Sequence, residues 1–319
     1  MPGRRHIDAW CFPVLDCHSH TTRTLEMDKA VPWFEQLCAQ HGLAAQADVL
    51  SGLLCPGVAL ARTGTDTAAL GLSRMGGGPD VPEGFVWPSC RGRALDFLLQ
   101  VNLADLRGLP IGLDLPQTGV LSFFYDMEDQ PWGYEPAHRS GHRVFLFDAD
   151  AVVRRLPASD DDLALPSSTI TFHPGLRLPH PFSAEGERVA DLLKAHGRPW
   201  SESDEEAYFE LVGAVAAYHA GSGRPLHVIG GHSHNVQGDM PLEAQLVTHG
   251  LSLGDGTAYN DSRRPALEEG RDEWQLLLQF DSDDEGAMWG DSGMLYAWIR
   301  RQDLAERDFS QTWMALQCC

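Results

Sequence analysis

One short sequence occurs twice in this chain, and this repeat constrains the fold more than any other feature. Leu98-Leu99-Gln100 returns as Leu277-Leu278-Gln279, and each copy is followed by an apolar run that begins at a glycine, Gly119 or Gly293. Two copies of one unit are typical of a fold that is built from related halves. The sequence therefore predicts an internally duplicated protein, with any site between or beside the two copies.

Short β-type runs, separated by turns that contain proline and glycine, occur in both copies of the repeat. They span residues 95–103, 120–125, 143–147, 226–229, 274–280 and 294–300. No regular helices alternate with them, which favours an antiparallel or mixed sheet over a Rossmann fold. Two helices are predicted between the copies, opening at Ser183 and Ser203, where Ser203 and Glu206 have the spacing of a capping box. The predicted fold class is α+β, with a duplicated β-rich unit.

Four segments are predicted along the chain. They are an N-terminal annex at 1–70, a first β-rich repeat at 71–155, a Pro-rich connection with the helical pair at 156–224, and a second repeat at 225–319. Within the annex a helix is predicted from Asp28 to about His41, because Pro32 then lies in the first turn, where a missing N–H is tolerated. The stretch 156–182 is interpreted as a surface connection, since its prolines interrupt any periodic pattern. Residues 70–319 are expected to form one compact domain.

The chain is strongly acidic, with 24 Lys and Arg residues against 45 Asp and Glu residues and a formal net charge of −21. This charge disfavours attraction to nucleic acid or to an anionic membrane. A basic protein or a cationic small ligand is the expected partner. The sequence shows neither an uncharged apolar run of membrane-spanning length nor an apolar secretory core near its start. We therefore expect a soluble cytoplasmic protein.

Two common classes of site are not indicated. The seven cysteines are scattered and include no Cys-x-x-Cys pair, so neither a disulfide framework nor a zinc ribbon is predicted. The vicinal Cys318-Cys319 pair is expected to be incidental rather than redox-active. Neither lysine, Lys29 nor Lys194, follows a glycine, which excludes a Walker-type phosphate loop.

A series of motifs occurs in order over roughly residues 70–319. They are Ser73-Arg74-Met75-Gly76-Gly77-Gly78-Pro79-Asp80-Val81-Pro82, Trp87-Pro88, Val236-Gln237-Gly238-Asp239-Met240 and Glu243-Ala244-Gln245-Leu246-Val247, with the segments 95–106, 119–125, 274–284 and 288–299. The series resembles the YwqG-like family, a bacterial family of unknown function. The resemblance implies an internally duplicated α+β fold without established catalytic residues. Residues 231–235 depart from the pattern, because they contain histidines where relatives carry a Pro-containing turn.

Acidic, amide and aromatic side chains in the predicted loops are the candidates for binding a ligand or partner. They are Asp80, Trp87, Asn102 and Trp132 in the first copy, and Gln237, Asp239, Glu243, Asp281, Asp283, Trp289 and Asp291 in the second. Aromatic rings beside carboxylates suit a cationic or amide-bearing ligand where several of them converge, and Tyr134 belongs to the same group of loop aromatics. Burial at the edge of the core is the alternative for each tryptophan.

Two His-x-His pairs give an alternative hypothesis. Asp16-Cys17-His18-Ser19-His20 resembles the strand-borne metal motif of metal-dependent hydrolases, and His232 and His234 lie in a Gly-rich loop before Asp239. If both pairs converge with Asp239, they would hold a zinc-type divalent metal with one open coordination position. Solvated loop histidines are the competing interpretation.

A calcium loop is a weaker interpretation of the acidic segment in the second copy. Asp281, Asp283 and Glu285 are spaced as in such loops, but Ser292 stands where a bidentate glutamate belongs. An acidic hairpin loop is therefore expected.

Three functions follow from these patterns. The preferred one is an acidic binding protein of the YwqG-like type, acting as an immunity-type or accessory factor, because the chain carries no complete catalytic constellation. The first alternative is a metal-dependent hydrolase that uses both His-x-His pairs and Asp239. The second is a small-ligand sensor with a cleft between the repeats.

Overall fold

A ten-stranded antiparallel sheet is the main element of the protein. The computed structural model describes residues 27–65, 68–158, 163–220 and 225–318. The strands are β1 Cys55–Thr65, β2 Arg74–Met75, β3 Asp80–Pro82, β4 Ser89–Cys90, β5 Arg93–Ala94, β6 Asp96–Asn102, β7 Val120–Tyr125, β8 His142–Phe147, β9 Val152–Arg155, β10 Ser168–Arg177, β11 Val228–Ile229, β12 Trp274–Asp281, β13 Met294–Arg300 and β14 Trp313–Gln317. The large sheet has the order β14-β13-β12-β11-β1-β10-β2-β6-β7-β8, and β3·β9 and β4·β5 form small separate pairs.

Helices accompany the sheet in the described part of the chain. They are α1 Met27–Gln40, α2 Ala47–Ser51, α3 Ala184–Glu187, α4 Val189–Ala195, α5 Glu202–Ala220, α6 Met240–Thr248, α7 Arg264–Glu268 and α8 Arg301–Ala305. Short 3-10 helices occur at Leu103–Leu106, Pro136–Gly141, Thr257–Asn260, Arg271–Glu273 and Phe309–Gln311. None of the helices in these described ranges combines the length and the apolar character that crossing a bilayer requires.

The predicted fold class is confirmed, since the protein is α+β with a mostly antiparallel sheet. The predicted strands correspond to β6, β7, β8, β11, β12 and β13, and both β7 and β13 have the predicted bounds. The helix predicted from Asp28 is observed as α1. Ser183 caps α3 through a bond from Gly186 N, as expected, whereas α5 begins at Glu202, slightly before the predicted Ser203.

The interpretation of residues 156–182 as a surface connection was wrong, because the segment contains the central strand β10. This strand pairs with β1 along its length, from Ser168 opposite Thr65 to Arg177 opposite Cys55. Proline inside a central strand normally argues against strand structure. Here β10 meets β2 only through Ser168 and Thr169, so no strand of the described chain borders the edge where Pro174 lies.

The two halves of the sheet have matching architecture around the central pair β1·β10. On one side β2, β6, β7 and β8 follow one another, and on the other side β11, β12, β13 and β14 do. The β6·β7 ladder has an irregularity between Phe97 and Leu99, and the β12·β13 ladder has one between Leu276 and Leu278. The repeated Leu-Leu-Gln sequence therefore forms the same bulged strand in each half.

The main core joins residues of both halves. The bulge residues Leu98 and Leu277 are both fully buried in the same hydrophobic cluster. Each buried leucine contributes about 1.5–3 kcal/mol through removal of its side chain from water. A second cluster packs α1, α2, α4 and α5 together around residues such as Phe34 and Tyr208. The helices thereby cover the region where β10 ends.

Candidate functional site

The loop of residues 230–239, which joins β11 to α6, contains several of the candidate residues. It begins with Gly230 and Gly231, whose φ angles are 68° and 71°. Glycine adopts this left-handed region without a steric cost. A Cβ atom on Gly230 would lie 2.1 Å from the carbonyl oxygen of Ile111. The sharp start of the 230–239 loop therefore requires glycine.

Three fully buried side chains then fix the path of this loop. Gln279 Oε1 accepts a hydrogen bond from His234 N at 2.8 Å, and Tyr296 Oη donates to His234 O at 2.6 Å. Gln317 Oε1 accepts from Val236 N at 3.1 Å and from Gln237 N at 3.0 Å. Buried backbone groups need such partners, so these side chains hold the loop in one conformation.

Asp239 ends the 230–239 loop and begins α6. Its Oδ1 accepts a hydrogen bond from Leu242 N at 3.2 Å, as an N-cap residue does. Its Oδ2 lies 3.2 Å from Arg271 Nη1. Burial raises the pKa of Asp239, while the Leu242 N–H and the Arg271 guanidinium act in the opposite direction. Asp239 is thus both a helix cap and part of a half-buried ion pair.

Glu243 lies one helical turn beyond Asp239 and is less well satisfied. Its Oε2 atom is buried and has no hydrogen-bond partner in the described part of the chain. Burial, with a smaller contribution from the nearby Asp239, raises the pKa of Glu243 to about 7. Near neutral pH the side chain is therefore divided between its neutral and ionised forms.

A loop from the first half meets this region. Tyr134 Oη donates a hydrogen bond to Gln237 Oε1 at 3.1 Å, and Gln237 Nε2 donates to Cys318 O at 2.8 Å. Burial and the neighbouring Glu243 raise the pKa of Tyr134 above its usual range. The ring centroid of Trp132 lies 6.2 Å from that of Tyr134, and Trp132 remains 36% exposed.

The structure thus brings together four predicted residues, Trp132, Gln237, Asp239 and Glu243, with Tyr134 between them. We call these five residues the carboxylate site. Arg271 borders the carboxylate site through its ion pair with Asp239, and no sequence pattern predicts this contact, since only the fold places the two residues together. The arrangement combines a buried carboxylate, an amide and two aromatic rings, which is the chemistry that recognises a cationic group.

Asp80 has a structural role instead. It is fully buried and lies 2.6 Å from Arg74 Nη2 and 2.7 Å from Arg155 Nε. Gln100 Nε2 donates a hydrogen bond to the same carboxylate at 3.0 Å. These contacts occupy the side chain within the fold of the first half.

Asn102 and Asp281 occupy corresponding positions in the two halves. Asn102 Nδ2 donates a hydrogen bond to Gly71 O at 2.8 Å, and Asp281 Oδ2 accepts one from Leu226 N at 2.7 Å. Burial raises the pKa of Asp281. Both side chains hold the segment that enters the adjacent short strand, β2 or β11.

Asp283 is engaged by Arg62 and His227 inside the protein. Its Oδ2 accepts a hydrogen bond from Arg62 Nε at 2.9 Å and lies 3.3 Å from His227 Nε2. Burial acts to raise the pKa of Asp283, but His227 and Arg62 outweigh it and lower the pKa to about 2. The Asp283 carboxylate therefore serves an internal ion pair, in agreement with the expected hairpin loop.

The remaining candidates lie apart from the carboxylate site. Trp87 is half-buried and donates to Leu95 O at 2.7 Å. Trp289 is fully buried, so core packing accounts for it. Asp291 is exposed.

Of the two His-x-His pairs, His18 and His20 lie outside the described residues, so the structure gives the position of His232 and His234 alone. His232 Nε2 lies 3.0 Å from Leu53 O, which makes this nitrogen a donor. The His234 ring packs against His180, with 4.7 Å between centroids. Within the described ranges no group of three or more His, Cys, Asp or Glu side chains is arranged to hold a metal ion.

Comparison with protein families identifies the chain over most of its length. Residues 73–318 match the model of the domain of unknown function DUF1963. The comparison with curated proteins found no match. The match begins just before β2 and ends after β14, so it includes the carboxylate site and both repeated glutamines. The chain belongs to the DUF1963 family.

Proposed function

We propose that this protein is a binding protein of the YwqG-like type whose carboxylate site takes a cationic group from a basic protein or a small ligand. The observation that carries the proposal is the buried Oε2 atom of Glu243, which lacks a partner in the described chain. An immunity-type or accessory role in the cytoplasm accords with such binding.

The physical reason is the cost of leaving a buried carboxylate oxygen, Glu243 Oε2, without a hydrogen-bond partner. An unpaired buried polar group costs about 1–3 kcal/mol, and more when it is charged. A primary ammonium group supplies both the hydrogen bond and the opposite charge that Glu243 lacks. The rings of Trp132 and Tyr134 provide surfaces for the methylene chain that carries such a group.

The net charge of −21 favours the approach of cationic partners over long distances. The net charge does not select one cationic partner over another, because the interactions of exposed carboxylates are screened by salt. Selectivity is assigned to the carboxylate site, where burial weakens screening.

The proposal predicts a specific pH dependence. A cation binds the ionised form of Glu243, so affinity rises as the pH passes through about 7 and levels off above it. At pH 7, binding drives ionisation and releases about half a proton per site. Near pH 9 the side chain is already ionised, so no proton is released.

The test is isothermal titration calorimetry with N-acetyl-lysine methylamide, in two buffers of different ionisation enthalpy. N-acetyl-norleucine methylamide, which lacks the ammonium group, is the ligand control. Glu243→Gln removes the carboxylate charge, and Asp291→Asn removes an equal charge from an exposed position. We expect binding with proton release for the unmodified protein and for Asp291→Asn, and a loss of at least about tenfold in affinity for Glu243→Gln. Equal affinity for both variants would overturn the proposal.

A further inference from the structure

A buried arginine lies beside a small cavity near the other end of the 230–239 loop. This arginine is Arg177, the last residue of β10, which is only 7% exposed. Among the described residues no carboxylate pairs with Arg177, and none accepts a hydrogen bond from its guanidinium. Buried charges in proteins are normally paired, because removal from water costs several kcal/mol.

Arg177 borders a small cavity of about 10 Å³. The loop contributes His232, Ser233 and His234 to its lining, and Val212 and Ala216 of α5 contribute an apolar wall. The volume is close to the minimum that accommodates one water-sized occupant. A polar occupant suits this cavity, because the described residues offer the Arg177 guanidinium no partner.

The histidines around Arg177 are neutral near pH 7, because their pKa values are lowered. Burial, followed by the charge of Arg177, lowers the pKa of His232 and lowers that of His234 to about 4. The same two causes lower the pKa of His219, while burial and His234 lower the pKa of His180 to about 3. At neutral pH the only permanent charge among the described residues that line the cavity is therefore the positive charge of Arg177.

One carboxylate lies on the periphery of this cluster. Glu185 of α3 acts on His232, whose pKa it raises against the larger effect of burial. Burial alone lowers the pKa of Arg177, to about 10, with no contribution from a carboxylate. Glu185 therefore does not neutralise the positive charge of the Arg177 guanidinium.

We propose that the cavity beside Arg177 binds an anionic atom, either a halide ion or one oxygen of a carboxylate or phosphate group, held by the guanidinium and the His234 ring. His232 Nε2 is already occupied by Leu53 O, and Ser233 Oγ donates to Asn235 Oδ1 at 2.6 Å. This leaves Arg177 and His234 as the donors that face the occupant. A metal cation is disfavoured at this position, because Arg177 would repel it.

The experiment measures the thermal stability of the full chain in sodium chloride, sodium formate and sodium phosphate at matched ionic strength. Arg177→Met removes the charge but keeps an unbranched side chain. Arg154→Met is the matched control, since Arg154 is exposed on β9. We expect at least one of the three salts to raise the melting temperature of the unmodified protein and, equally, that of Arg154→Met. This increase should exceed the increase in Arg177→Met by about 2 °C or more. A response to chloride indicates a halide site, and a response confined to formate or phosphate indicates an oxyanion site.

Ala216→Leu gives an independent test, because it fills the cavity and leaves Arg177 in place. It should abolish the same anion response, and it carries the test if Arg177→Met fails to fold. The proposal is overturned if Arg177→Met and Ala216→Leu, where they fold, show the same anion response as the unmodified protein and Arg154→Met. It is also overturned if none of the three anions stabilises the unmodified protein more than it stabilises Arg177→Met or Ala216→Leu.

Discussion

Gln100 and Gln279 make equivalent hydrogen bonds in the two halves of the protein. Gln100 Oε1 accepts from Asp80 N at 2.8 Å and Nε2 donates to Leu72 O at 2.7 Å. Gln279 Oε1 accepts from His234 N at 2.8 Å and Nε2 donates to Leu226 O at 2.8 Å. In each half one glutamine therefore ties the segment before a short strand to the Gly-rich loop after it.

Replacing Gln279 by Met should destabilise the protein by about 2–4 kcal/mol, because it removes the partners of two partly buried backbone groups, His234 N and Leu226 O. Chemical denaturation measures this change in the free energy of unfolding. The matched control is Gln275→Met on the same strand, where the side chain is half-buried. Equal and small effects of the two substitutions would contradict the role of Gln279.

The repeated glutamine shows how much of the fold could be predicted from the sequence. The Leu-Leu-Gln repeat identified β6 and β12, because alternation and turn residues are local signals. The pairing of β1 with β10 left no such signal, since Pro174 and Gly175 interrupt the strand and the partner is distant in sequence. Long-range pairing is decided by the tertiary fold rather than by local propensity.

The carboxylate site was predicted only in part, for a similar reason. The sequence identified Asp239, Glu243 and the loop aromatic Trp132 as separate candidates, but it predicted no helix where α6 begins after Asp239. It could not place Tyr134 beside Gln237, because that contact joins the two halves. The sequence could not predict that Arg177 lies away from carboxylates either, because its neighbours are determined by the tertiary fold.

Glu243→Gln should stabilise the protein at alkaline pH. The raised pKa of Glu243, about 7 in the folded protein, means that the folded state binds the proton more tightly than the unfolded chain. The associated stability is present below about pH 4.5 and is lost as the pH rises through about 7, a total of about 3 kcal/mol. The neutral amide avoids this loss, so the variant should gain up to about that amount at pH 8.5 and almost nothing at pH 4. Denaturation at both pH values measures the difference, and a destabilised variant at pH 8.5 would contradict the assignment.

His142 should make the protein sensitive to acid. Its ring is buried, with Nε2 3.0 Å from Thr312 O, and burial lowers its pKa to about 3. Because the unfolded chain takes up this proton at about pH 6.5, stability is lost as the pH falls from there toward 3. At pH 5 the loss from His142 is about 2 kcal/mol. His142→Gln should flatten the decline in urea midpoint between pH 7 and pH 5, and an unchanged slope would exclude His142 as its source.

Asp80→Asn should be among the most damaging single changes. It removes the charge that faces both Arg74 and Arg155, and Arg74 is fully buried. Breaking a buried ion pair from one side costs about 3–5 kcal/mol. Asp129→Asn is the control, because the contacts of Asp129 with Arg91 and Arg93 are solvent-exposed and each is worth about 0–1 kcal/mol. Guanidinium denaturation of both variants tests the contrast, which fails if their unfolding free energies are similar.

Binding of a cation at Glu243 is tested most directly by a carbon-detected NMR titration of its carboxyl group, with and without N-acetyl-lysine methylamide. In the free protein the pKa of Glu243 should be about 7. Saturation with the ammonium ligand should lower this pKa, because the cation stabilises the ionised form. A pKa of Glu243 that is the same with and without the ligand would contradict the proposed function.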